Sequence, residues 1–128
     1  METIWKTLDA ALAGQGRLAL EHLDQLVAAG EDPVPLLAAM SASLLKLHHA
    51  GQLRAARLDL AEACRLANIP PFAVQKTGKQ HAHLGPSRVG QLPAMLLRAD
   101  LDIKGGSTLE PRVVLEILLV RLALPRAD

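Results

Sequence analysis

The histidines are the first residues in this sequence whose type and spacing suggest chemistry, because imidazole binds metal ions and transfers protons near neutral pH. Two close pairs occur: His48 beside His49, and His81 with His83 in the segment HAH. On a helix, adjacent residues point about 100° apart and residues i and i+2 about 200° apart, so neither pair can hold a metal from one helix face. No cysteine or carboxylate cluster accompanies them. We therefore predict solvated histidines, no metal site and no cofactor.

Motifs for covalent catalysis and nucleotide binding are also missing from the sequence. Cys64 lies on the apolar stripe of a predicted helix, which favours a core residue over a reactive thiol. The segment KTGKQ at residues 76–80 has the wrong order and spacing for a phosphate-binding loop, and no G-x-S-x-G motif occurs. The segment KGGS at residues 104–107 is typical of a glycine-based helix stop. The sequence therefore predicts that this domain is not an enzyme.

Leucine and alanine must build the core of this protein. Half of the residues are hydrophobic, yet the chain has one Trp, one Phe and no Tyr. No alternating β-branched segment predicts a strand, so the composition favours an all-α fold, and the length fits one domain at residues 1–128. One cysteine, the lack of a signal-peptide pattern and the lack of an apolar run of about 18–20 residues predict a soluble cytoplasmic protein that makes no membrane contact.

Glycines and apolar stripes divide the chain into a compact bundle of about five to seven helices. Predicted helices end at Gly14, Gly30, Gly51 and Gly85. Asp32 and Pro33 have the types of an N-cap and a first helical residue, and the last helix is predicted to begin near Pro111. Pro93 is expected to kink or restart the helix that contains it. The short loops predict that the first three helices pack as antiparallel neighbours.

Charge is distributed unevenly, although the net charge is only +1. Residues 63–99 hold no acid but several bases. Within this basic flank, the candidates for weak, sequence-independent contact with DNA phosphates or with an acidic partner are Lys76, Lys79 and Arg88. An ordinary solvated face explains the same charges. With so few aromatic residues to stack on bases, single-strand recognition has little support.

The last predicted helix is apolar on almost every side. Four leucines recur at i, i+3, i+4 and i+7 and are predicted to face the core: Leu115, Leu118, Leu119 and Leu122. The residues left on the other sides are the candidate subunit interface: Val113, Val114, Ile117, Val120 and Arg121. Arg121 would pair there with an acidic group of a neighbouring subunit. The pattern alone fits equally well with a helix that is central in the monomer.

Three segments of the chain follow the order and spacing of one known family. RADLDIKGGSTLEPRVVLEILLVRLA is similar to a D-x-x-I/L-K-G stretch, a turn with Pro and an L-E-x-L-L-x-x-L helix. WKTLDAALAGQGRLALEHLDQLVAAGEDPVPLLAAM resembles the opening of that family's domain. LANIPPFAVQK resembles its LGIPPFAVxK element, with Asn68 where Gly is commoner. The family is the delta subunit of the bacterial DNA polymerase III clamp loader, and the resemblance runs from Trp5 to Ala123.

The resemblance implies a non-catalytic collar domain within the DNA-directed DNA polymerase III holoenzyme. In this family the C-terminal helical domain joins those of partner loader subunits, of the ATPase gamma/tau and delta-prime types, in a closed collar. The N-terminal AAA+-like domains, absent from this sequence, bind and open the sliding clamp. The alternatives are the collar of an ATPase loader subunit or of another AAA+ oligomer, a stand-alone helical DNA-binding protein and, with least support, an enzyme.

Overall fold

A computed structural model describes residues 2–126 of the chain, and these residues form an all-α bundle without strands. Its helices are α1 (Glu2–Leu12), α2 (Gly16–Ala28), α3 (Pro33–Ala55), α4 (Leu60–Leu66), α5 (Val74–Leu101) and α6 (Pro111–Ala123). A 3₁₀ turn at Pro71–Ala73 leads into α5, and a π-helical turn at Asp102–Gly106 follows it. The predicted all-α bundle is therefore confirmed.

Helix α6 is the centre of the packing, since it contacts α1, α2, α3 and α5. α1 and α2 form an antiparallel hairpin across a short link, and α3 packs mainly on α5. α2 runs antiparallel to α6, because Gly16 lies beside Ala123 at one end and Asp24 pairs with Arg112 at the other. α2 and α3 are not a main packing pair. The predicted set of three sequential neighbours therefore holds only for α1 and α2.

The core is aliphatic, as the composition predicted. Its largest fully buried apolar side chains are Ile4, Leu8, Leu23, Leu36, Met40, Leu44, Leu92, Leu115, Leu119, Leu122 and Cys64. Leu118 is also buried, so all four leucines predicted to face the core from the last helix do so. The burial of Cys64 agrees with its predicted role as a core residue.

Several of the predicted helix boundaries are confirmed. The Asp32 carboxylate caps α3 by accepting a hydrogen bond from the Val34 N–H, at 3.0 Å. Gly85 interrupts the helical geometry inside α5 with φ 80° and ψ 157°, values that favour glycine. Gly105, with φ 99°, ends the turn after α5, and α6 begins at Pro111. Local residue types are therefore sufficient to locate these ends.

Gly51 does not end α3, contrary to the prediction. The helix continues for about one more turn, and Gly51 is instead the place where α5 comes closest. A Cβ atom at Gly51 would lie 2.5 Å from Cγ1 of Val89, which is too close for any side chain. α3 ends just before Arg57, where φ is 75°, and the Asp59 side chain then caps α4 by accepting from the Glu62 N–H at 2.8 Å.

Pro93 lies inside α5, and the backbone keeps helical φ and ψ values there, so the predicted restart of the helix at this residue is wrong. A kink at Pro93 stays a prediction. Proline has no N–H, and the carbonyl four residues earlier, that of Val89, loses its usual donor. The imidazole of His48 replaces that donor: Nδ1 lies 2.9 Å from the Val89 oxygen and, facing an acceptor, carries the proton. A side chain of α3 therefore completes the hydrogen bonding of α5 at its proline.

Pro86 creates the same deficit next to the interruption at Gly85. The carbonyl that it leaves without a donor is that of Ala82, and the guanidinium of Arg126 donates to it at 3.3 Å. Arg126 lies directly over Gly85, where a Cβ atom would come within 2.9 Å of Nε. The segment that follows α6 therefore covers the interruption in α5.

Arg88 and His83 satisfy carbonyls at the C-terminal end of α6. Pro125 cannot donate to the Arg121 carbonyl, and Arg88 Nη1 does so instead at 2.8 Å. His83 Nε2 donates to the Leu122 carbonyl at 2.8 Å, one of the acceptors that every helix leaves free at its end. Two side chains of α5 therefore fix where α6 ends.

His81 is buried between α3 and α5. Its Nε2 donates to the Leu47 carbonyl at 2.9 Å, and its Nδ1 accepts from Arg54 Nη1 at 3.0 Å, which defines a neutral ring. Burial is the main cause that lowers the pKa of His81, and the charge of Arg54 lowers it further, against the effect of the bond to Leu47. His49 is exposed. The prediction of solvated histidines is wrong for His48, His81 and His83.

We predict that His48→Ala lowers the free energy of unfolding by about 1–3 kcal/mol, because it leaves the carbonyl of buried Val89 without a donor. The cost should fall in a Pro93→Ala background, where the N–H restored at position 93 donates instead. Urea unfolding of the four proteins in this double-mutant cycle measures the coupling, expected at about 0.5–3 kcal/mol. His49→Ala is the matched control and should change stability by less than about 0.5 kcal/mol. Equal costs of His48→Ala in both backgrounds would contradict the assignment.

We also predict that stability falls as the pH drops below about 6.5, the pKa of histidine in an unfolded chain. The folded state holds His81 neutral with a lowered pKa, so between that pKa and about 6.5 the unfolded chain binds more protons. His81→Gln, which keeps a donor for Leu47, should remove part of this pH dependence. Chemical unfolding at several pH values measures it, with His49→Gln as the control. An unchanged dependence in His81→Gln would show that another group is responsible.

Candidate subunit interface

The outward side of α6 carries a second stripe of residues, which we call the α6 outer face: Ile117, Val120, Arg121 and Leu124. These positions repeat the i, i+3, i+4, i+7 spacing of the core leucines on the opposite side. Ile117 is 38% exposed, Val120 41% and Leu124 52%. The last helix is therefore core on one side and uncovered on the other, which the sequence pattern left undecided.

The structure distributes the predicted interface residues over both sides. Ile117, Val120 and Arg121 are exposed, and Val113 is partly buried. Val114 is only 3% exposed and belongs to the core, so its predicted position outside the core is wrong. Val114 lines a hollow together with Met95, Arg98 and Ala99 of α5, a neighbour that a single-helix pattern does not reveal. Sequence reasoning missed Leu124, although its spacing of seven from Ile117 places it on the same stripe.

A groove runs between α5 and α6 beside the outer face. One end is a hollow of about 330 Å³ lined by residues that include Met95, Arg98, Leu109, Ile117 and Arg121. The other end, of about 600 Å³, extends to Leu124 and shares Met95 and Arg121 with the first. The two hollows adjoin at these shared residues, and together we call them the α5–α6 groove. It combines apolar walls with arginine side chains.

Four arginines line the groove: Arg88, Arg98, Arg121 and Arg126. Arg88 and Arg126 donate to backbone carbonyl oxygens. Arg98 pairs with Asp102 at 3.3 Å, so these two charges offset each other. Arg121 makes no hydrogen bond or ion pair through its side chain within residues 2–126, and it is exposed. A cation beside exposed aliphatic side chains is the combination found at the edge of protein interfaces.

More apolar surface lies near the groove. Leu97 and Leu101 are exposed on α5, one turn apart, and Leu109 is exposed in the link before α6. Single exposed apolar residues are common, but groups of them next to a polar edge mark interaction sites. Surface available for a partner therefore extends beyond the α6 outer face.

The three predicted basic residues do not form one surface. Lys76 and Lys79 line a hollow between α1, α2 and α5, where Lys76 Nζ lies 3.2 Å from Asp9 Oδ2. Arg88 lies beyond the interruption at Gly85 and uses its guanidinium on carbonyl oxygens. Arg88 is therefore a structural residue, and its grouping with the two lysines is corrected.

In the part of the chain that the structure describes, no three His, Cys, Asp or Glu side chains gather as a metal site. The helices in that part include none with the length and apolarity required to cross a bilayer.

A comparison with protein families matches residues 1–122 to the model for the DNA polymerase III delta subunit, C-terminal domain. Searches of curated proteins and of solved structures found no significant match. The matched stretch contains α1 to α5 and all of α6 except its last residue. Because the match spans almost the whole sequence, the chain belongs to the family of C-terminal domains of the DNA polymerase III delta subunit, a subunit of the clamp loader of DNA replication.

Proposed function

We propose that this domain is a non-catalytic assembly module, a collar domain that joins the delta subunit to other clamp-loader subunits. The α6 outer face carries this proposal, because it exposes Ile117, Val120 and Leu124 beside Arg121 while the opposite side of the same helix fills the core. Family membership implies association with other clamp-loader subunits and supports the delta collar over the collar of an ATPase loader subunit.

Burial energetics favour an assembly role over a solvated face. Removing apolar surface from water contributes about 25 cal/mol per Å², so covering three exposed aliphatic side chains gives a substantial gain. The bundle cannot supply that cover itself, since α6 already contacts α1, α2, α3 and α5 through its other sides. A neighbouring subunit can cover the remaining side. An arginine at the edge of such a patch acts mainly on the rate of association and on the choice of partner.

Polar substitutions on the two sides of α6 should have different effects. Ile117→Asn with Val120→Asn should weaken association with ATPase-type and delta-prime-type loader subunits by about tenfold or more, because interface anchors each contribute more than about 1 kcal/mol. The melting temperature of this double variant should change little, because Ile117 and Val120 are both exposed. Leu118→Ala should instead lower the free energy of unfolding by about 2–5 kcal/mol. Calorimetric titration and thermal melting measure the two effects.

Leu45→Asn is the matched control for this experiment. Leu45 is an exposed aliphatic residue in the middle of α3, away from the α6 outer face. Leu45→Asn introduces the same polar side chain, at a larger cost in helix propensity than Ile117→Asn or Val120→Asn. It should leave association unchanged. If Ile117→Asn and Val120→Asn destabilise the fold as much as Leu118→Ala and do not weaken association selectively, the assembly proposal fails.

Arg121 should contribute through its charge. We predict that Arg121→Glu slows association with partner subunits and that Arg121→Gln makes association less sensitive to salt, because a rim cation steers an acidic partner surface. Stopped-flow association rates at several salt concentrations measure both changes. Arg65→Gln is the control, at an exposed cation on α4 that pairs with Glu62. A salt dependence identical to wild type in Arg121→Gln would rule out an acidic partner at this position.

A further inference from the structure

A cleft of about 490 Å³ opens between α3 and α5, and we call it the α3–α5 cleft. Its residues come from the end of α3 and the middle of α5, and Arg126 reaches it from the segment after α6. The cleft shares Pro86 and Arg126 with the α5–α6 groove, and its described lining includes no residue of α1, α2 or α6. Sites for small molecules typically measure about 300–1,000 Å³, so the cleft is large enough for one.

Three glycines line the cleft: Gly51, Gly78 and Gly90. Packing requires the first two, because a Cβ atom would lie 2.5 Å from Val89 at Gly51 and 2.8 Å from Leu60 at Gly78. A Cβ atom at Gly90 would meet nothing within 4 Å, and Gly90 does not have a positive φ. Each of the other eight glycines has a positive φ or would bring a Cβ atom within 3.3 Å of a neighbouring atom. Neither packing nor backbone geometry therefore accounts for Gly90.

Gly90 lies inside a helix, where glycine is less favourable than alanine. Residues that break a local rule without a structural reason are concentrated at functional sites. A larger side chain at position 90 would enter the α3–α5 cleft, because this residue lines it and has open space above its Cα atom. The feature that this glycine preserves is therefore the open cleft.

The cleft is positively charged. Arg54 and Arg126 line it, and none of the lining residues that the structure describes is Asp or Glu. His81, which is only 7% exposed, accepts a hydrogen bond from Arg54 Nη1 at 3.0 Å and so holds the guanidinium at the cleft. The other N–H groups of Arg54 have no partner within residues 2–126. A guanidinium that is already held in place loses less entropy when it binds an anion.

We infer that the α3–α5 cleft binds a small oxyanion ligand, a molecule with one phosphate or carboxylate group on a flat apolar body. The guanidinium of Arg54 suits both groups, because parallel N–H bonds can pair with two oxygens. The apolar walls, formed by Ala55, Ala82 and Val89, lie beside the bare backbone of a glycine, so a flat ring can rest against them. The inference goes beyond subunit assembly and does not depend on it.

Phenyl phosphate and benzoate are the probes, because they share a flat ring and differ in the oxyanion. Either probe is added to the isotope-labelled 128-residue chain, and binding is followed by two-dimensional NMR. The amide signals of Gly51, Gly78 and Gly90 should shift saturably. Those of Gly30 and Gly105, which lie outside the cleft, should stay in place. Inorganic phosphate should bind more weakly than phenyl phosphate, because it lacks the apolar body.

Two variants test the proposed contacts. Arg54→Gln should weaken the affinity for phenyl phosphate by about tenfold or more, the effect of losing a charged hydrogen-bond donor. Arg17→Gln removes the same charge at an exposed position of α2 and should leave the affinity unchanged. Gly90→Leu should abolish binding by filling the cleft, while its melting temperature stays at or above that of wild type, because leucine has the higher helix propensity. Gln91→Leu, at the next residue of α5 and outside the cleft, is its control.

The inference is overturned if about 10 mM of either probe shifts none of the three glycine signals, since a dissociation constant of about 1 mM would then give nearly full binding. Equal weakening by Arg54→Gln and Arg17→Gln would also overturn it, because the anions would then respond only to net charge. If neither probe binds but Arg54→Gln weakens association with loader subunits, the cleft holds a carboxylate of a partner protein and the small-ligand inference is wrong.

Discussion

The structure depends on giving backbone carbonyls a donor where the regular helical hydrogen bond is missing. Three such carbonyls each lie four residues before a proline, those of Ala82, Val89 and Arg121, and side chains from elsewhere in the chain donate to them: Arg126, His48 and Arg88. Each bond joins two elements, so α3, α5 and the end of α6 are held together by polar interactions as well as by leucine packing. Leucine packing is non-directional, whereas these bonds have one geometry and fix the position of each helix along its neighbour.

Helix α6 has two opposite sides with the same residue spacing, one of them buried in the core and the other exposed. The inner leucines determine where the helix lies in the bundle, and the α6 outer face remains uncovered. Because the two sets do not overlap, the outer residues can change without removing a side chain from the core.

The sequence predicted those features that are encoded locally and missed those that depend on distant partners. Asp32, Gly85 and the core leucines of α6 were correctly interpreted because caps, helix stops and periodic burial involve neighbouring residues. Gly51 was misread because a glycine that permits close helix approach looks the same as one that ends a helix. The partner of His48 lies 41 positions away, so its spacing to other histidines carried no information about its role. The composition correctly showed one Phe and one Trp, but it could not reveal that both Phe72 and Trp5 are exposed.

The central position of α6 has a consequence for the newly made chain. Protein synthesis proceeds from the N-terminus, so the five earlier helices leave the ribosome before the helix around which four of them pack. Until α6 emerges, the leucine surfaces of α1, α2, α3 and α5 lack their common partner and stay open to water. Exposed apolar surface of this kind favours aggregation and engages chaperones. Native closure of the bundle therefore waits for α6, the last of these six helices to be made.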